Sequence, residues 1–125
     1  MDLTLKGRTA IVTGGGSNIA RSIVMTMAEE GANVAIFDID EASAQAVATQ
    51  VKEGGATGRV EVFPTDVTSR QQVEDSISQV VKEFGRVHIL VNGVGWDQMG
   101  AFLDQTPEFH DKIVDLNYMG SLRCI

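Results

Sequence analysis

The 125 residues carry 17 acidic and 10 basic side chains, for a net charge of −7, with 43% hydrophobic and 22% charged residues. That is enough chain for one small globular domain, and the acidic balance argues against nucleic acid and anionic membrane surfaces as partners, since both repel it. Cys124 is the only cysteine, which excludes an internal disulfide and a thiolate metal cluster, and no metal site is expected.

In chain order, Met1–Lys6 place an acid where a secretory leader needs bases, and no apolar run approaches the length of a membrane span. The expected compartment is the cytoplasm. Residues 8–13 read as a short apolar strand that ends in Gly14–Gly15–Gly16. Ala20, Ile23, Val24, Met27 and Ala28 then recur at helical spacing as far as about Glu30, where Gly31 supplies the stop. Asn33–Asp38 form a second strand. A helix from about Asp40 turns Ala44, Val47, Ala48 and Val51 inward and ends at Gly54–Gly55. The third strand, Val60–Phe63, is closed by Pro64. Thr68 is expected to cap the third helix, with Gln71 completing a capping box. Val73, Ile77, Val80, Val81 and Phe84 form that helix's buried stripe, and Gly85 stops it. Val87–Asn92 read as strand four, with His88 inside it as a core residue. Thr106 and Pro107 open a last helix, with Phe109, Ile113, Val114 and Leu116 as its apolar members and His110 on an exposed face.

Strands alternating with helices imply parallel pairing through right-handed crossovers. Strands one and four read as nearly continuous apolar runs, as in a sheet covered on both faces. The expected fold class is therefore α/β, a doubly wound parallel sheet of Rossmann type with strand order 3-2-1-4. The whole of 1–125 is expected to form one domain of this type.

Strand, glycine turn and helix in succession bring free backbone N–H groups and the positive end of a helix dipole to one point, which suits a phosphate or pyrophosphate. The same loop could also be only a tight turn. The general fingerprint Gly-x-Gly-x-x-Gly breaks at Ile19. Ligands of doubly wound sheets bind beyond the carboxyl ends of the strands, at the switch between strands one and four. Those ends are Thr13–Gly14, Asp38, Thr65–Asp66 and Asn92–Gly93, all polar or glycine. Asp38 stands where a carboxylate accepts hydrogen bonds from an adenosine ribose diol. It also repels a 2′-phosphate: two like charges about 4 Å apart cost roughly 4 kcal/mol at an effective dielectric of about 20. The cofactor expected is thus NAD rather than NADP. The alternatives are that Asp38 begins a turn, that Asp66 caps a helix, and that Asn92–Gly93 is a hairpin turn.

These residues together resemble the short-chain dehydrogenase/reductase family. Its pattern Thr-Gly-x-x-x-Gly-x-Gly starts at Thr13 and Gly14, with Asn18 at the second glycine and Ala20 at the third. Asp38, Asp66–Val67 and Asn117 follow in the family's order, and its Asn-Asn-Ala-Gly stands here as Asn92–Gly93–Val94–Gly95. The resemblance implies a cofactor site of Gly14, Ser17, Asn18, Ile19, Asp38, Asp66, Val67, Asn92 and Gly93. Asp66 and Val67 would flank the adenine, and 92–95 would support the central sheet near the cofactor. Asn117 matches the helix asparagine that holds a proton-relay water, the one catalytic assignment; otherwise it is a polar residue on the buried side of a helix. Trp96–Asp97 would border the nicotinamide or substrate, with a weak likeness to members acting on hydroxyacyl-CoA thioesters, or else Trp96 anchors a loop or subunit contact. Neither histidine is assigned a catalytic role.

The family's Tyr-x-x-x-Lys is missing: the only tyrosine is Tyr118, and residue 122 is leucine. A tyrosine acid needs a nearby cation to bring its pKa toward working pH. An apolar strand four at a sheet edge is also an aggregation hazard. The chain therefore reads as the cofactor half of a longer protein, incomplete on its C-terminal side. The expected function is an NAD-dependent oxidoreductase interconverting a secondary alcohol and a ketone on a small-molecule substrate. It would work as a homo- or hetero-oligomer of related subunits. The alternatives are a noncatalytic relative supporting an active partner, motivated by Asn18, Ala20, Gly93 and Val94, and a nucleotide-binding regulator.

Overall fold

A computed structural model describes residues 2–125. β1 (Thr9–Thr13) is buried along its whole length. Its alternate residues serve opposite faces, as the two-residue period of a strand requires. Ala10 and Val12 join one apolar cluster with Val24, Met27, Val34 and Ile36, and Ile11 joins another with Ala35, Phe37 and Val80. β2 (Asn33–Asp38) and β4 (Ile89–Val91) pair with β1 in parallel, and β3 (Val60–Pro64) pairs with β2. The order is β3-β2-β1-β4, as read from the sequence.

α1 (Asn18–Glu29) and α2 (Glu41–Glu53) supply buried residues to the first cluster, and α3 (Arg70–Phe84) packs on the opposite face. Each fully buried Val or Ile in these layers contributes about 1.5–3 kcal/mol relative to exposure. Gly31, Gly55 and Gly85 follow these three helices with φ of +85°, +75° and +82°. That is the left-handed backbone that ends a helix at little cost for glycine.

α3 is capped by Ser69 rather than Thr68: the Ser69 hydroxyl accepts from Gln72 N–H at 3.4 Å. Thr68 is diverted, because its N–H and its hydroxyl both donate to Asp66 Oδ1 at 2.8 and 2.7 Å. Val81 departs from the stripe and is 44% exposed. β4 is shorter than residues 87–92 and only half-buried, since it pairs with β1 alone. His88 precedes it, exposed, with its ring Nδ1 accepting from Thr9 N–H at 3.0 Å.

α4 (Pro107–Val114) begins as expected, with Thr106 Oγ1 accepting from Phe109 N–H at 3.2 Å. It runs through a π-turn, Asp115–Met119, into α5 (Gly120–Cys124). Val114 is turned outward and 53% exposed. His110 is half-buried instead of facing solvent, stacked on Phe102 with ring centroids 5.0 Å apart. Among the described residues, no helix is long and apolar enough to cross a membrane.

Candidate functional site

The carboxyl ends of β1 and β4 are tied together by Thr13. Its buried hydroxyl accepts from Gly93 N–H at 2.9 Å and Val94 N–H at 3.3 Å. Gly14 then turns at φ +68°, while its N–H still bonds Phe37 O on β2 at 2.7 Å. The chain thus leaves the sheet at Gly14 while still held to both neighbouring strands, at the switch point between β2 and β4.

The glycine loop is packed, not slack. A Cβ on Gly15 would stand 2.9 Å from Ile36 Cγ2, and one on Gly16 would stand 2.9 Å from Asp38 Oδ2 and 3.0 Å from Ala44 N. Asn18 holds φ +53°, the left-handed conformation that asparagine tolerates better than other non-glycine residues. Ala20 is buried, and its methyl occupies space that Gly93 leaves free.

α1 starts without a side-chain cap. Asp40, Ser69 and Thr106 each accept an N–H at the heads of α2, α3 and α4, but Ser17 accepts none. The backbone N–H groups of Asn18, Ile19 and Ala20 donate to no other described residue. Unsatisfied donors at a helix head concentrate positive potential and favour an anion.

Asp38 closes β2 beside this loop. Its Oδ2 accepts from Gly16 N–H at 2.9 Å and its Oδ1 from Asp40 N–H at 2.9 Å. These bonds fix the carboxylate, and each oxygen keeps a further lone pair. Asp40 caps α2, and its bonds from the Ser43 hydroxyl and N–H hold its carboxyl below the usual range. Beyond β3, Asp66 N–H donates to Gln72 Oε1 at 2.9 Å while its carboxylate organises the turn through Thr68. Asp66 therefore braces the approach to α3 without capping it. Thr65, buried beside it, bonds Ser76 Oγ at 2.7 Å.

These ends share one cleft of about 300 Å3. Gly14, Ser17, Asn18, Ile19, Asp38, Asp66, Val67 and Gly93 all line it. Asn92 does not; it is exposed just outside the lining. Val94 and Gly95, of the 92–95 segment expected near the cofactor, also line it, as do Ile39 and Leu116, which were unanticipated from the sequence. Ile39 could have been suspected from its place directly after Asp38; it is 76% exposed. No hairpin follows Asn92–Gly93, since the chain continues without a return strand.

Asn117 sits in the π-turn and outside the cleft lining. Its Oδ1 accepts from Trp96 N–H at 3.0 Å, and its Nδ2 donates to Trp96 O at 2.8 Å and Ile113 O at 3.0 Å. Both amide hydrogens are thus used within the fold, locking the segment after Gly95 to the helix. Trp96 packs against Phe109 with centroids 5.8 Å apart, and Lys112 Nζ lies 3.9 Å above its ring. That is an anchor's environment, and Trp96 is absent from the cleft. Arg123, its side chain only 13% exposed, pairs with Asp115 and donates to Val67 O at 3.1 Å, joining the π-turn to the cleft wall. Tyr118 is 62% exposed, and Leu122, one turn on, is 46% exposed. Among the described residues no group of three His, Cys, Asp or Glu side chains is placed to hold a metal.

The description "short chain dehydrogenase" matches residues 8–125. The chain belongs to the short-chain dehydrogenase/reductase family. It is 35% identical over 124 residues to the 3alpha-hydroxysteroid dehydrogenase of Mediterraneibacter gnavus, covering 99% of this chain and 50% of that protein. It is 27% identical over 118 residues to the 3-oxoacyl-(acyl-carrier-protein) reductase of Thermotoga maritima, covering 94% and 47%. Its fold matches the crystal structure of a short chain dehydrogenase from Mycobacterium smegmatis with a TM-score of 0.90 at 32% identity, over 96% of this chain and 49% of that one. The chain therefore spans about half the length of these family members.

Proposed function

We propose that this chain binds NAD across the cleft and that the whole protein uses it to interconvert a secondary alcohol and a ketone. The observation that carries the reading is the pairing of an uncapped α1 with a fixed carboxylate at the end of β2. The N–H groups of Asn18, Ile19 and Ala20 would hold the pyrophosphate, and the free lone pairs of Asp38 would take the ribose diol. Asp66 and Val67 would flank the adenine. Bound there, the nicotinamide supplies hydride exchange at C4.

The preference for NAD rests on Asp38. No basic side chain belongs to the cleft lining, so a 2′-phosphate would meet the carboxylate uncompensated. Asn117, through Trp96, fixes the backbone at the cleft's far wall; we assign it the positioning of that wall and of the proton-relay water. The proton itself is assigned to a tyrosine–lysine pair of the whole protein, because Tyr118 has no lysine one turn away.

The noncatalytic reading drew on Asn18, Ala20, Gly93 and Val94. Asn18 adopts the left-handed turn, and Ala20 fits against Gly93, which favours a working loop. The test is turnover of a panel of secondary alcohols by the full-length protein, followed by NADH absorbance. Reduction of NAD, strongly preferred over NADP, is expected. A folded protein that binds NADH and turns over nothing would favour the nucleotide-binding regulator, and one that binds no NADH would favour the noncatalytic relative.

A further inference from the structure

At the opposite end of the sheet from the cleft, the N-terminal ends of β1 and β4 border a second pocket, of about 420 Å3. Arg8, Arg86 and His88 line it together with Leu5, Val87 and Ile89. No acidic side chain lines it, in a chain whose net charge is −7. Among the described residues, neither Arg8 nor Arg86 forms an ion pair or a side-chain hydrogen bond, whereas Arg59, Arg70 and Arg123 all pair with acids. His88 has a defined tautomer. Its Nδ1 accepts the Thr9 N–H at 3.0 Å, so the ring hydrogen lies on Nε2, which is left as a donor.

Two unpaired guanidiniums and an imidazole N–H beside aliphatic walls are complementary to a compact oxyanion on an apolar body. Guanidinium forks match phosphate geometry with paired hydrogen bonds. We infer that this pocket is a second ligand site, which takes an organic phosphate monoester with its phosphate on Arg8, Arg86 and His88 and its apolar part against Leu5, Val87 and Ile89. The site is independent of the cleft, because the sheet separates the two ends of β1.

The test is a titration of the full-length protein with phenyl phosphate and with inorganic phosphate, followed by backbone amide shifts. Saturable shifts are expected at Thr9, Val87 and His88, with phenyl phosphate binding more tightly than inorganic phosphate. Arg8→Gln combined with Arg86→Gln should weaken binding by roughly tenfold or more. Both arginines are exposed, so the double variant should keep its fold, checked by an unchanged spectrum elsewhere. Shifts confined to Asn18–Ala20 would send phosphate to the cleft and overturn the proposal, as would equal binding by the double variant. Equal affinity for the two phosphates would overturn the assignment to an organic ester.

Discussion

Ala20 and Gly93 are fitted to one another: a Cβ on Gly93 would stand 2.9 Å from the Ala20 methyl and 2.4 Å from Thr13 O. The methyl that Ala20 places between α1 and the sheet is accommodated because residue 93 has no side chain. Two departures from the family's glycine and asparagine patterns thus form one packing solution.

Gly93→Ala should therefore destabilise the fold by about 1–3 kcal/mol, as overpacking does. Ala20→Gly in the same chain should restore only part of the loss, since the closer contact is with the Thr13 backbone. Urea denaturation of the single and double variants measures both. Full rescue would show that the methyl alone sets the fit.

Gly16→Ala should act on the cofactor more than on the core. The added methyl meets Asp38 Oδ2 and Ala44 N, so the carboxylate must swing or the head of α2 must move. NADH affinity is expected to fall about tenfold, equivalent to about 1.4 kcal/mol. The preference over NADPH should shrink with it. Calorimetric titration of both nucleotides checks this.

Asn117→Ala removes three hydrogen bonds to Trp96 and Ile113. Because the Trp96 segment is exposed and can return to water, the expected cost is only about 1 kcal/mol. Trp96 is the only tryptophan among these 125 residues, and its emission, taken as the difference between the full-length protein and its Trp96→Phe variant, should shift to the red as the ring leaves Phe109 and Lys112. Unaltered emission would mean that the aromatic contacts hold the segment without Asn117.

Asp40 sets a pH dependence. Its carboxyl is lowered from 3.8 by the Ser43 bonds, so the stability it contributes is present above the unfolded value and lost as pH falls through the folded one. Asp40→Ala should depress the denaturation midpoint at neutral pH and much less in acid, where the native carboxyl is protonated too. Equal depression at both would trace the loss to helix propensity.

Much of this was legible in the strand ends. Asp38, Asp66 and Gly93 lie at the cleft because each ends or follows a strand, and parallel strands deliver those ends to one side of the sheet. The Asn18 turn was also readable, since few residues accept positive φ. Thr68 and Ser69 were not separable, because both are good caps and the choice turned on Asp66 claiming the Thr68 hydroxyl. Val81, Val114 and His110 went astray because helical spacing marks a stripe, while its limits depend on which neighbours are present. The π-turn left no local signal; it is held by Asn117 and Arg123, whose partners Trp96 and Val67 are distant in sequence. Asn92 is polar at a strand end like the others, yet β4 stops at Val91 and leaves it on the surface.

The most direct test is calorimetric titration of the full-length protein with NADH and NADPH, for the native sequence and for Asp38→Ala. Saturable NADH binding is expected, with NADPH weaker by roughly tenfold or more, and the alanine variant should lose that discrimination. A folded protein that ignores NADH, or that takes NADPH equally well with Asp38 intact, would contradict the account.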